Sequence, residues 1–179
     1  MASIKLHDKV FKPFIPEERI YVAIDAVAER INADFEGTGE VPVILCVLNG
    51  AMMFTSEVLK RLRFDCELMS VKLSSYQGTQ STGKVLNVSG FSGNLTGRTV
   101  IVVEDIVDTG NTVVALKQML LEQGVKDVKI CTMLMKPEVY SKEEKLDYVG
   151  MEIPNAFIVG FGLDYDELGR NYRDIYVVE

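Results

Sequence analysis

Three carboxylates, Glu104, Asp105 and Asp108, fall directly after the apolar run Val100-Ile101-Val102-Val103. Crowded carboxylates repel one another, so the spacing predicts a partner that relieves them: Mg²⁺, or the hydroxyls of a sugar. The next residues, Thr109-Gly110-Asn111-Thr112, lead into a helical pattern from about Val113 to Glu122, closed by Gly124. Glycine lets that turn curl until several backbone N–H groups face one point. The hydroxyls and the positive end of the helix add to the attraction, and a phosphate fits there. A hydroxyl-and-metal site beside a phosphate cradle suits a phosphorylated sugar. The bland alternative is an ordinary strand–turn–helix in which Asp108 or Asn111 caps the helix, and the Glu-Asp pair in front of the turn weighs against it.

To bring these groups together the chain needs a buried strand that ends where the acids begin. Thr99 to Val103 is β-branched throughout, as in a fully buried parallel strand. Val41 to Leu48 reads as a second such strand, with Asn49-Gly50 turning into a helical pattern through Met52, Val58, Leu59 and Leu62. Leu68 to Leu73, Val85 to Val88, Val128 to Met135, Phe157 to Val159 and Ile175 to Val178 read as further strands. Residues 74–84 read as a polar loop and residues 89–98 as turn-rich. Ile20, Ile24, Val27, Ile31 and Phe35 lie at helical spacing behind Pro16-Glu17-Glu18, with proline and acids at the helix start. Strands alternating with helices predict an α/β fold whose mostly parallel sheet is flanked by helices, with ligands at the carboxyl ends of the strands.

With 179 residues the chain is expected to form one domain, 1–179, large enough to fold without metal or disulfide. Its core spans about 20–150, and the N-terminal segment and about 151–179 can form a smaller hood. The 19 basic and 26 acidic residues give a net charge of −7. No basic cluster is large enough for a nucleic-acid or anionic-membrane footprint. Cys46, Cys66 and Cys131 are odd in number and far apart, so each is expected as a buried free thiol. His7 is the sole histidine, which makes a Ser-His-Asp unit or a Cys/His zinc site a poor fit. The start lacks the apolar core of a signal peptide, and no apolar run approaches a membrane span; the expectation is a cytoplasmic protein.

The run Val102 to Thr112 resembles the phosphoribosyl-pyrophosphate signature of type I phosphoribosyltransferases, and the chain as a whole resembles the hypoxanthine/guanine branch of that family. The resemblance extends from the Leu48 turn to Arg170 and rests on four motifs. It implies that Glu104 and Asp105 hold the ribose hydroxyls and a bridged Mg²⁺. Asp108 would lie near purine N7 as the proposed base, and Thr109, Gly110, Asn111 and Thr112 would cradle the 5′-phosphate. Leu48, Asn49 and Gly50 resemble the pyrophosphate loop, although many members carry a basic residue where Asn49 stands. Lys136 would read the 6-oxo group, Phe157 would stack on the purine and the Ile158 backbone would bond its edge. Asp164, in Leu163-Asp164-Tyr165, would bind a second Mg²⁺ and lie near the base, and Arg170 would contact pyrophosphate. Ser75 and Tyr76 match a mobile lid.

Gly78 to Lys84 fits the first seven positions of a Walker A loop, but Val85 lacks the hydroxyl that Mg²⁺ needs there. The resemblance implies purine salvage: Mg²⁺-dependent transfer of a phosphoribosyl group from phosphoribosyl pyrophosphate to a 6-oxopurine. It also implies a homodimer or homotetramer with small-molecule substrates, no nucleic acid and no membrane. Two alternatives stay open at this stage: a regulator that keeps the fold but binds nucleic acid, and a transferase for xanthine or another base.

Overall fold

The computed structural model describes residues 2–76, 85–89 and 93–179, with the backbone alone at 74–76 and 85–89. Two short strands come first, β1 (Ile4–Leu6) and β2 (Lys9–Ile15), followed by the long helix α1 (Glu17–Phe35). Then come β3 (Val43–Leu48), α2 (Met52–Leu59), β4 (Glu67–Tyr76), β5 (Val85–Ser89), β6 (Thr99–Val107) and α3 (Asn111–Glu122). The chain ends through β7 (Asp127–Met135), β8 (Tyr148–Glu152), β9 (Ile158–Val159) and β10 (Ile175–Val178).

A six-stranded sheet runs in the order β5-β4-β3-β6-β7-β8. Five of its strands are parallel, and β5 is antiparallel to β4. Both faces are covered. α1 and α2 lie on one side, where Ile20, Ile24, Val27, Ile31, Phe54 and Val58 pack with Ile44, Ile101 and Val103. α3 covers the other, where Leu116 and Leu120 pack with Val43, Leu45, Val100, Val102 and Ile130. Burial on both faces explains why β3 and the Val100–Val103 part of β6 are continuous apolar runs rather than alternating ones. Each fully buried Ile, Leu or Val contributes about 1.5–3 kcal/mol relative to an exposed one.

β1, β2, β10 and β9 form a second, wholly antiparallel sheet from the two chain ends, which is the hood. It is fastened to the core at the start of α1. Pro16 there gives no side-chain cap, and the carboxylate of Asp174, just before β10, accepts from the Glu17 N–H at 2.8 Å.

Four departures from the sequence reading matter for the site. β6 runs on to Val107, because Ile106 and Val107 pair with Leu134 and Met135 of β7. Glu104 and Asp105 are therefore inside the strand, and the turn starts only at Asp108. β4 likewise continues through 74–76, pairing with β5, so the polar segment expected as a loop begins as strand. β1, β2 and β8 are strands that the apolar pattern did not mark. β2 contains Pro13, and β8 contains Gly150, where an added Cβ would lie 2.6 Å from the Met133 carbonyl oxygen. Cys66 is only half-buried, although all three cysteines are free. Gly78 to Lys84 lies outside the described residues. Among the described residues, no helix is long and apolar enough to cross a membrane.

Candidate active site

The carboxyl ends of β3, β6 and β7 meet at one edge of the large sheet. Side chains alternate along β6, and the two acids go different ways. Glu104, 7% exposed, lines a cleft of about 350 Å³ that continues over Asp108, Thr109, Gly110, Asn111 and Thr112 and is bordered by Leu48. Asp105 lies against the Leu48–Ala51 turn: a Cβ built on Gly50 would fall 1.6 Å from its carboxylate oxygen, so any side chain there would displace the Asp105 carboxylate. Asp105 also accepts from the Ile106 N–H at 2.8 Å. Burial pushes the carboxyl of Glu104 well above the usual range, and the Asp105 charge adds to it. Asp105 is raised too, first by burial; the Ile106 N–H and the charge of Arg170 oppose the rise.

The cleft floor is built by Gly110. Its φ of +81° ends the turn in the left-handed region, and α3 starts at the next residue with no side-chain cap. An added Cβ would lie 2.5 Å from the Tyr140 ring, so space and backbone both require glycine. The first N–H groups of α3 have no acceptor within their own helix and open toward the cleft, which suits an anion.

Asp108, at the rim, is 54% exposed and pairs with Lys136 at 2.9 Å. Lys136 follows β7, is 7% exposed, and donates its backbone N–H to the Val107 carbonyl. The strand register thus sets a buried ammonium beside a solvent-facing carboxylate next to the cleft.

The pyrophosphate-loop candidates Leu48, Asn49 and Gly50 connect β3 to α2, and the Leu48–Asn49 peptide bond is cis. The hood closes on this turn: a Cβ on Gly162 would sit 2.1 Å from the Gly50 carbonyl oxygen. Arg170 is fixed beside it, its guanidinium 2.7 Å from the Asp164 carboxylate and donating to the Gly162 carbonyl at 2.8 Å. The other Asp164 oxygen accepts from the Glu167 N–H. Phe161, Asp166 and Glu167 hold left-handed φ without being glycine, so unusual backbone clusters in this loop. Phe157 (45% exposed) and buried Ile158 stand at the start of β9, where the Phe157 carbonyl accepts from the Val178 N–H. The backbone of Ser75 and Tyr76 belongs to β4, opposite Leu86 and Val85.

Glu104, Asp105 and Asp164 do not converge as one nest. Among the described residues, no three His, Cys, Asp or Glu side chains are gathered to hold a metal ion. Glu104 and Asp105 nevertheless fit a hard divalent cation: both are carboxylates held above their ordinary pKa, and among the described residues neither forms a salt bridge. Sequence reasoning gave no role to Gly162, Tyr140 or Tyr165. The signal in the sequence that marks a close backbone approach there is the pair of glycines in Gly160-Phe161-Gly162.

A parallel sheet that delivers acids and a glycine turn to one helix start is the architecture of a phosphoribosyl transferase. Residues 16–166 match the phosphoribosyl transferase domain, and the chain belongs to that family. Its relatives there are narrower in kind. The hypoxanthine-guanine phosphoribosyltransferase of Streptococcus thermophilus is 38% identical over 175 residues, covering 97% of this chain and 96% of its own. The structure of a Bacillus anthracis hypoxanthine-guanine phosphoribosyltransferase is similar at a TM-score of 0.85 and 35% identity, covering 96% of this chain and 98% of that one. The hypoxanthine phosphoribosyl transferase of Trypanosoma cruzi is similar at a TM-score of 0.87 and 31% identity, covering 98% and 95%.

Proposed function

We propose that the chain is a purine-salvage enzyme that transfers the 5-phosphoribosyl group of phosphoribosyl pyrophosphate to N9 of hypoxanthine or guanine. The observation that carries this reading is the Asp108–Lys136 pair beside the anion cleft. A 6-oxopurine presents an acceptor at O6 and, in its N7–H tautomer, a donor at N7, and the pair supplies the complementary ammonium and carboxylate. A 6-aminopurine presents a donor to Lys136 where the 6-oxopurine presents an acceptor, so the ammonium gains no hydrogen bond from the base.

The bond from ribose C1 to pyrophosphate oxygen breaks, C1 gains cationic character, and N9 forms the new bond. Asp108 takes the proton that leaves N7. Thr109 to Thr112 hold the 5′-phosphate away from the reacting carbon, and that remote binding orients C1. Leu48, Asn49, Gly50 and Arg170 face the pyrophosphate. Phe157 stacks on the base and the Ile158 backbone bonds its edge, with Asp164 near by. Ser75 and Tyr76 belong to the lid that keeps water from the sugar cation. Glu104 and Asp105, with the ribose hydroxyls, and Asp164 would hold Mg²⁺, which when bound offsets charge on the departing pyrophosphate. The chain acts as one domain, in the cytoplasm, as a homodimer or homotetramer.

Ultraviolet-monitored turnover with phosphoribosyl pyrophosphate, Mg²⁺ and each of hypoxanthine, guanine, xanthine and adenine tests the reading. Turnover of the 6-oxopurines, lost on removing Mg²⁺ and absent with adenine, is expected. Asp108→Asn should lower kcat by a factor on the order of 10²–10⁴ while leaving phosphoribosyl pyrophosphate binding in place. Binding of phosphoribosyl pyrophosphate with no turnover of any base would overturn the enzyme reading.

A further inference from the structure

Phe157 is exposed on one side, but its ring is braced on the other. Phe11 lies 6.0 Å away, tilted at 45°, and Tyr165 lies 5.6 Å away at 86°, edge to face. Phe11 and Tyr165 are themselves 6.1 Å apart, so the three rings close a triangle, and Phe11 is fully buried. Residues 7–9, at the turn from β1 into β2, also meet the Tyr165 side chain. His7 meets its ring edge-on at 5.5 Å, and the Lys9 ammonium lies 5.4 Å from its centroid. Its hydroxyl donates to Asp8 at 2.6 Å. His7 also reaches the Asp166 carbonyl oxygen at 3.2 Å. A half-buried tyrosine in the loop after Asp164 is thus held by His7, Asp8, Lys9 and Phe11 and stands perpendicular to Phe157.

We infer that Tyr165 is a positioning residue for the purine: it fixes the plane of Phe157 and anchors that plane to the N-terminal hairpin through Asp8. The inference rests on the proposed stacking role of Phe157. The terminal torsion of a phenylalanine is broad, so an unbraced ring would present the base with a range of angles. A perpendicular neighbour removes that freedom beforehand, and the base then binds a surface already ordered. The brace touches nothing at the phosphate cleft, so its effect falls on the base alone.

Steady-state kinetics of four variants test this. Tyr165→Leu removes the ring and should raise the KM for hypoxanthine roughly three- to tenfold, the worth of one aromatic pair. The KM for phosphoribosyl pyrophosphate and kcat should change little. Tyr165→Phe and Asp8→Ala keep the ring but lose its tether, and should give the same smaller rise. Asp8→Asn retains an acceptor oxygen and should restore the wild-type value. A merely structural role would lower the active fraction or move both KM values together. That result, or an unchanged hypoxanthine KM in Tyr165→Leu, overturns the inference. Should Tyr165→Leu fail to fold, the Tyr165→Phe and Asp8→Ala pair decides by the same split between substrates. If the wild type turns over no 6-oxopurine, the stacking reading falls and this inference with it; if it turns over hypoxanthine and the variants leave its KM in place, this inference alone falls.

Discussion

Glu104 sits buried in a strand interior beside a second acid, with no salt bridge among the described residues. A native carboxyl that holds its proton more tightly than the unfolded chain does favours unfolding as pH rises from the ordinary glutamate value of 4.5 toward the native one. Without divalent metal, the melting temperature should therefore fall as pH is raised from about 5 to about 8, and Mg²⁺ should return part of the loss. Glu104→Gln removes the titrating group. Its profile should be flatter, its Tm at neutral pH higher by about 2–4 °C for each kcal/mol recovered, and its turnover lower. Scanning calorimetry across that pH range checks this; a variant whose Tm follows the wild type at every pH would assign the slope to other groups. The acids and the glycine turn were legible in the sequence because their chemistry is local. The Asp108–Lys136 pair was not: it is made by the register of β6 against β7.

At the scale of elements, the hood turn and the Leu48–Ala51 turn touch through glycine. Gly160 and Gly162 hold nearly the same φ, +103° and +99°, and an added Cβ at either would meet a carbonyl oxygen at 2.1 Å. The neighbours differ: Asp174 for Gly160, Gly50 for Gly162. Alanine at either position should cost comparable stability, about 1–3 kcal/mol of backbone strain before any clash. Only Gly162→Ala should raise the KM for phosphoribosyl pyrophosphate, because only there does the clash fall on the Leu48–Ala51 turn. Matched kinetics and melting curves of the two variants separate these effects, and an equal rise in both would refute the coupling. β3, β6 and β7 were readable because burial on both faces makes long stretches of them apolar: Val43–Leu48, Val100–Val103 and Met133–Met135. The hood strands were harder for a physical reason. β1 and β2 hold short, mixed sequences, His7 takes a left-handed turn without glycine, and the second partner of β2 is β10, far along the chain.

Over the whole molecule, the two sheets differ in how far apart their partners lie. Val43 pairs with Glu67, about 24 positions on, whereas Ile15 pairs with Ile175, about 160 positions on. Loop-closure entropy grows as (3/2)RT ln n, so joining β2 to β10 costs about 1.7 kcal/mol more than joining β3 to β4. Pulse-labelled hydrogen exchange during refolding should show β3, β6 and β7 protected before β2 and β10. Simultaneous protection of both sheets would refute that order. β10 lies between β2 and β9, so the strand that carries Ile158 completes its pairing only when the last element in the chain arrives. During synthesis on the ribosome, the cleft and the acids emerge and can fold before the β9 region, proposed to seat the purine, gains its β10 partner. On the proposed assignment, a polypeptide interrupted before Ile175 would keep the sugar-phosphate cleft but no finished seat for the base, and such an abortive product could sequester one substrate without consuming it.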